Sequence, residues 1–152
     1  EEICKDKVPS SHTKFNSLLD AVWASAAPGD NKASAARGAA LKTLGVLTHV
    51  EPYCNDVQFL IKVSDALDRC SRDTFIAVRL KAFWSLAYLC ERAFIIPLHA
   101  SSEYLRHHAG LTLSRLSDMA LRSINDHDKV RVYGARALGY LASAHQFVTL
   151  VQ

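Results

Sequence analysis

Asp126, His127 and Asp128 set two carboxylates around an imidazole, the side chains from which a metal site or an acid–base pair is made. They stand at the start of a helical stretch. There, acidic side chains cap free amides and oppose the positive end of the helix dipole, so capping is their expected role. His107 and His108 are adjacent, so on a helix they diverge and cannot clasp one metal ion. The stretch "GLTLS" from Gly110 has a serine near a glycine, but lacks the second glycine and the preceding strand of a nucleophile elbow. Cys90 lies beside the apolar side of its helix, where a buried, inert thiol is expected. Zinc spacings, a calcium loop and phosphate-binding glycine loops are all missing from the sequence. The expectation is no enzyme, no metal, no cofactor and no small-molecule substrate.

The remaining chemistry is that of contact. In "RLKAFWSLAYLCERAF", from Arg79 to Phe94, a helical period places Arg79, Ala82, Leu86, Leu89 and Ala93 on one side. Lys81, Trp84, Tyr88 and Arg92 fall opposite. Further on, Tyr133, Arg136 and Tyr140 stand opposite Leu138 in the same way. Tryptophan, tyrosine and arginine are the residues that dominate binding hot spots, so these seven form a candidate basic-aromatic strip for a protein or peptide partner. A competing reading packs Trp84 and the tyrosines onto adjoining helices with only their polar tips wet. A nucleic-acid reading takes Lys42, Lys81, Arg92, Arg106 and Arg136 as a basic track, with Trp84 and Tyr88 for stacking. The low net charge of +3 and the acidic Glu91 on the same face count against it.

Arg79 and Arg131 point toward the apolar side, where a guanidinium needs a partner. Asp73 lies six residues before Arg79 at a presumed turn. An Asp73–Arg79 type of ladder, continued at Arg131, is therefore expected to tie helices together and cap them.

Helical spacing dominates the chain and hairpin signals are missing, which predicts an all-α domain. Six helices are read: 13–26, 32–50, 56–69 with Asn55 as its cap, one beginning after Asp73, 102–124 capped by Ser101 or Ser102, and one from "NDHDK" to about Ala144. Three segments align without gaps: "AARGAALKTLGVL" from Ala35, "AVRLKAFWSLAYL" from Ala77 and "KVRVYGARALGYL" from Lys129. Arg37, Arg79 and Arg131 coincide, as do Leu44, Leu86 and Leu138, and small residues recur at Gly45, Ala87 and Gly139. Such repetition predicts stacked helical hairpins, each with too much apolar surface to bury alone. The repeats run over about 12–52, 53–98 and 99–146. The longer third one absorbs "IIPLHASS".

An Asp or Asn near a turn, then Val-Arg, then an Ala/Leu ladder resembles a HEAT repeat; "DTFIAVR" and "NDHDKVR" carry it, and "DNKASAAR" carries it with Ala36 in place of valine. "VRLKAFWSLAYLCE" followed by "DKVRVYGARALGYLAS" is similar to the HEAT repeat-containing protein six family. The resemblance implies a right-handed α-solenoid of about three HEAT/armadillo-type hairpins and a non-catalytic scaffold. In armadillo repeats that grip extended peptides, tryptophan and asparagine alternate. Here Trp84 is kept, but Tyr88 stands where asparagine would, and Arg136 with Tyr140 and Lys42 with Val46 occupy the matching places. Importin-like recognition of basic signals is therefore disfavoured.

Four scattered cysteines, Cys4, Cys54, Cys70 and Cys90, without a pairing pattern point to a reducing compartment, cytoplasm or nucleus. The longest apolar run, near Phe94 to Leu98, is too short to span a membrane and holds Pro97. A start without Met or signal-peptide pattern, and an apolar end, suggest a piece of a longer chain.

Overall fold

The computed structural model describes the backbone of residues 10–27, 33–93 and 114–151, and the side chains of 16–27, 33–91 and 114–143. Regular structure among these residues is entirely helical. Helix α1 covers Ser10–Ser25, α2 Ser34–Leu47, α3 Val57–Cys70 and α4 Ile76–Ala93, followed by α5 over 114–122 and α6 over Asp128–Val151. Single 3₁₀ turns occupy Tyr53–Asn55 and Ser123–Asn125. The expected cap at Ser101 or Ser102, the start of the fifth helix there and the "IIPLHASS" connection lie outside the described residues.

Local chemistry sets the helix ends. Asp56, not Asn55, caps α3: its backbone is extended and its carboxylate accepts the Phe59 amide at 3.1 Å. A cap of this kind is worth about 1 kcal/mol. Asn55 is instead absorbed into the 3₁₀ turn. Asp73 does the same work ahead of α4, accepting the Phe75 amide at 2.9 Å. Helix α2 stops at Leu47, three residues short of the expected end, as the Thr48 hydroxyl donates to the Gly45 carbonyl at 2.6 Å and the chain enters a turn. At the other end of the molecule, α6 runs past Ala144, since "FVTLV" contains nothing that breaks a helix.

In α3, Phe59, Leu60, Val63, Ala66, Leu67 and Cys70 are buried along one stripe, while Lys62 and Arg69 lie exposed behind it. That stripe meets Leu41, Leu44, Val78, Phe83, Leu86 and Leu89 in a continuous core. Each such side chain contributes roughly 1.5–3 kcal/mol by leaving water.

Side-chain contacts fix the order of the helices. Helix α4 packs between α2 and α6. Along the first of these seams Lys81 lies over Gly38, the Ser85 hydroxyl donates to the Leu41 carbonyl at 2.7 Å, and His49 meets Tyr88. Contact positions rise together along both chains, so α2 and α4 run parallel. The other helices form their own row: Trp23 and Phe59 join α1 to α3, with the Cys70 thiol donating to the Ala26 carbonyl. Asp65–Arg115 and Asp68–Arg122 ion pairs then join α3 to α5.

Two ion pairs lock successive helix pairs together. Arg37, 1% exposed, donates from Nε to the Asp73 carboxylate at 3.1 Å. Arg79 grips Asp126 with Nε and Nη2, each at 2.8 Å, and donates from Nη1 to the Asp73 and Thr74 carbonyls. The ladder expected from the sequence therefore exists with a different pairing. Each arginine takes its carboxylate from the turn ahead of the next helix in the α2, α4, α6 row, and Asp73 accepts from Arg79 through its carbonyl.

Arg131 does not extend the ladder. It lies half exposed and pairs with Asp128, one turn before it on α6. The reason is visible along the whole helix. The face that α2 turns to α4, and α4 to α6, is open on α6 among the described residues. Val132 is 65% exposed, Ala135, Gly139 and Ala142 are exposed, and a Cβ on Gly139 would meet nothing within 4 Å. Their counterparts on α2 (Gly38, Leu41, Gly45 and Thr48) are buried.

Equivalent glycines should therefore respond oppositely. A Cβ on Gly45 would stand 2.7 Å from the Ser85 Cβ, too close without moving α4. Gly45→Ala is expected to lose about 1–3 kcal/mol by overpacking, whereas Gly139→Ala gains roughly 0.5–1 kcal/mol from helix entropy. Urea unfolding of the two variants checks this. A second expectation concerns acid. Hydrogen bonds from Arg79 hold the Asp126 carboxyl below its ordinary 3.8. That stabilisation is complete above the unfolded value, about pH 4, and is lost as pH falls through the lowered folded one. Asp126→Asn should thus be less stable than wild type at neutral pH, the gap closing as unfolding is followed below about pH 4.

Candidate functional site

Three parallel helices offer their remaining side to solvent, and on it the sequence-predicted aromatics and cations come together. Trp84 and Tyr88, one turn apart on α4, stack with ring centroids 4.2 Å apart and planes inclined by 28°. Both are half-buried. From α2, the Lys42 ammonium stands 5.5 Å from the centre of the Trp84 ring. From α6, the Arg136 guanidinium lies 5.8 Å from the Tyr88 ring and 5.5 Å from that of Tyr140. Its Nη2 donates to the Tyr140 hydroxyl at 3.0 Å and sits 3.8 Å from the Glu91 carboxylate.

Helix spacing puts them there. Lys42 and His49 are two turns apart, and Trp84 with Tyr88 and Arg136 with Tyr140 one turn apart, each pair on one face. His49 was not among the residues read from the sequence. Its Nε2–H donates to the Tyr88 carbonyl at 2.9 Å and its ring meets Tyr88 edge-on at 5.3 Å. The edge-on contact braces the tyrosine ring, and the hydrogen bond ties the histidine to the main chain of α4. Only the turn after α2, which returns His49 to the helix surface, makes the contact, and a helical wheel ending at Leu47 does not show it.

Of the seven predicted contact residues, Trp84, Tyr88, Arg136 and Tyr140 form this cluster. Lys81 flanks it with its stem against Gly38. Tyr133 is half-buried and packs on the hydrophobic core, as Tyr140 does in part. The Arg92 side chain lies outside the described residues. The competing packed reading thus describes Tyr133, while the Trp84–Tyr88 pair takes its contacts from Lys42, His49 and Arg136. Cation–π pairs at such half-exposed positions are worth about 0.5–1 kcal/mol each. They hold the rings upright, as a preformed surface.

The candidate chemical groups have other duties. Asp126 is engaged by Arg79 and Asp128 by Arg131. Asp126 also accepts the His127 amide at 2.6 Å just ahead of α6, and Asp128 stands in its first turn, where a negative charge suits the helix dipole. His127 completes the cap: its Nδ1 accepts the Lys129 amide at 3.3 Å and its carbonyl takes those of Val130 and Arg131. Cys90 is fully buried, and loss of water around the sulfur pushes its thiol far above the ordinary range. Such a group is a poor nucleophile. No described helix is long and apolar enough to cross a membrane.

Comparison with known proteins adds little. No protein-family model matches the chain. An uncharacterised protein of Dictyostelium discoideum is 33% identical over 107 residues, which is 70% of this chain. The chain spans about 7% of that relative's length, so the likeness concerns a small part of a much larger protein. No solved structure matches.

Proposed function

We propose that the chain is a segment of a right-handed α-solenoid of HEAT/armadillo type and works as a non-catalytic scaffold for protein–protein interaction, contacting its partner through the basic-aromatic strip. Parallel α2, α4 and α6, each carrying the aligned motif, support the solenoid reading, together with the Arg37–Asp73 and Arg79–Asp126 pairs. The observation that carries the function is the Trp84–Tyr88 stack, half-exposed and braced by cations from both neighbouring helices. Large rigid rings of this kind give contact area at little entropic cost, which is why hot spots favour them. Buried Cys54, Cys70 and Cys90 suit the reducing cytosol or nucleus.

A nucleic-acid partner fits less well. Glu91 beside Arg136 sets a carboxylate where a phosphate backbone would run.

Affinity capture from cell extract by wild type and by the double variant Trp84→Ser/Tyr88→Ser tests the assignment, with unfolding measured in parallel. The expected result is loss of the retained proteins with a stability change near 1 kcal/mol, against roughly 2–5 kcal/mol for the core control Leu86→Ala. An unchanged set of retained proteins, with a stability loss like that of the control, would return both rings to the core.

A further inference from the structure

The strip is framed by positive charge. Lys42 and Lys81 have no acidic partner among the described residues; the Lys42 ammonium has the Trp84 ring beside it. Arg136, on the opposite side of the stack, is half exposed and has Glu91 only at 3.8 Å. Cations therefore stand at both edges of one aromatic platform. Each comes from a different helix of a parallel row, so the arrangement is transverse to the helix axes.

We infer that this platform binds an extended acidic segment of a partner protein, with one carboxylate at Lys42 and Lys81, a second at Arg136, and a large apolar side chain between them on Trp84 and Tyr88. The inference rests on the strip being a contact surface and adds the chemistry of what it contacts. Neighbouring packed helices lie about 8–10 Å apart, so the line from α2 to α6 covers roughly 16–20 Å. An extended chain rises about 3.3 Å per residue and sends alternate side chains to the same face. Five or six residues thus cross the platform, with acidic, apolar and acidic side chains at alternate positions facing it. Long lysine and arginine side chains reach inward over their stems to close the remaining gap. A guanidinium that donates to Tyr140 through Nε and Nη2 keeps further N–H groups for an incoming carboxylate. Glu91 lies beside Arg136 alone, so it opposes only one of the two incoming carboxylates and leaves the edge formed by Lys42 and Lys81 open.

The test is fluorescence anisotropy of labelled peptides added to the chain. The probe is a Gly-Ser peptide with Glu, Phe and Glu at alternate positions. Its companions carry Gln or Lys in place of Glu, and a single-stranded oligo-dT serves as the nucleic-acid probe. The Glu peptide is expected to bind about tenfold or more tightly than the Gln peptide, and to weaken as salt rises from about 50 to about 200 mM. Lys42→Ala and Arg136→Ala should each reduce its affinity several-fold with unchanged circular dichroism. In the double variant Lys42→Glu/Arg136→Glu, preference should pass to the Lys peptide. Equal binding of the Glu and Gln peptides, abolished by Trp84→Ser, overturns the acidic ligand while leaving the strip as a contact surface. Failure of every peptide to bind, or tighter binding of oligo-dT than of the Glu peptide, also overturns it. Capture by the intact strip is read separately, so the two failures are distinguishable.

Discussion

A guanidinium cannot be left alone in an apolar core, and this constraint organises the molecule. Arg37 is sealed from water between α2 and its neighbours, and its charge is answered by Asp73 from the turn before α4. The same relation recurs between Arg79 and Asp126. Removing one partner of a buried pair costs about 3–5 kcal/mol, since the other charge remains in a medium that cannot solvate it. The pair therefore specifies which turn must stand beside which helix. Apolar burial supplies the driving force but tolerates sliding; a bidentate salt link does not.

Once α2, α4 and α6 are registered by these links, the strip follows from helix geometry. Small residues at Gly38 and Gly45 bring α4 close enough for Ser85 to reach the Leu41 carbonyl. That approach places Lys42 over Trp84 and His49 against Tyr88. On the other flank, Arg136 spans from Tyr140 to Tyr88. The surface is thus a product of the seams, not an ornament on one helix. Its rings are held by cations that themselves remain exposed to solvent.

Much of this was legible in the sequence because it is periodic. The 3.6-residue pattern gave the helices, and the coincidence of Arg37 and Arg79 pointed to the two ion-paired seams. It also marked Trp84, Tyr88, Arg136 and Tyr140 as lying off the apolar side. What escaped was non-local. The aspartate nearest in sequence to Arg79 is Asp73, yet its carboxylate belongs to Arg37, and Asp126, taken for a helix cap, belongs to Arg79. Alignment could have shown this, because Asp73 and Asp126 stand at similar distances before aligned arginines. Arg131 copies the local sequence of a ladder residue, but the ladder also needs a following turn, which no local pattern contains. The cap of α3 moved by one residue between two neighbouring side chains that could both serve, a choice settled by backbone angles and not by residue type.

Coupling between these charges is the most direct measure of the arrangement. Double-mutant cycles by urea unfolding, with each residue changed to Ala, isolate the pairwise free energy. Arg37 with Asp73, and Arg79 with Asp126, should each couple by about 1–3 kcal/mol, and the crossed pair Arg37 with Asp126 and the surface pair Arg131 with Asp128 by less than about 0.5 kcal/mol. Coupling of Arg37 to Asp126, or its absence between Arg37 and Asp73, would contradict the stacking of successive helix pairs on which the strip depends.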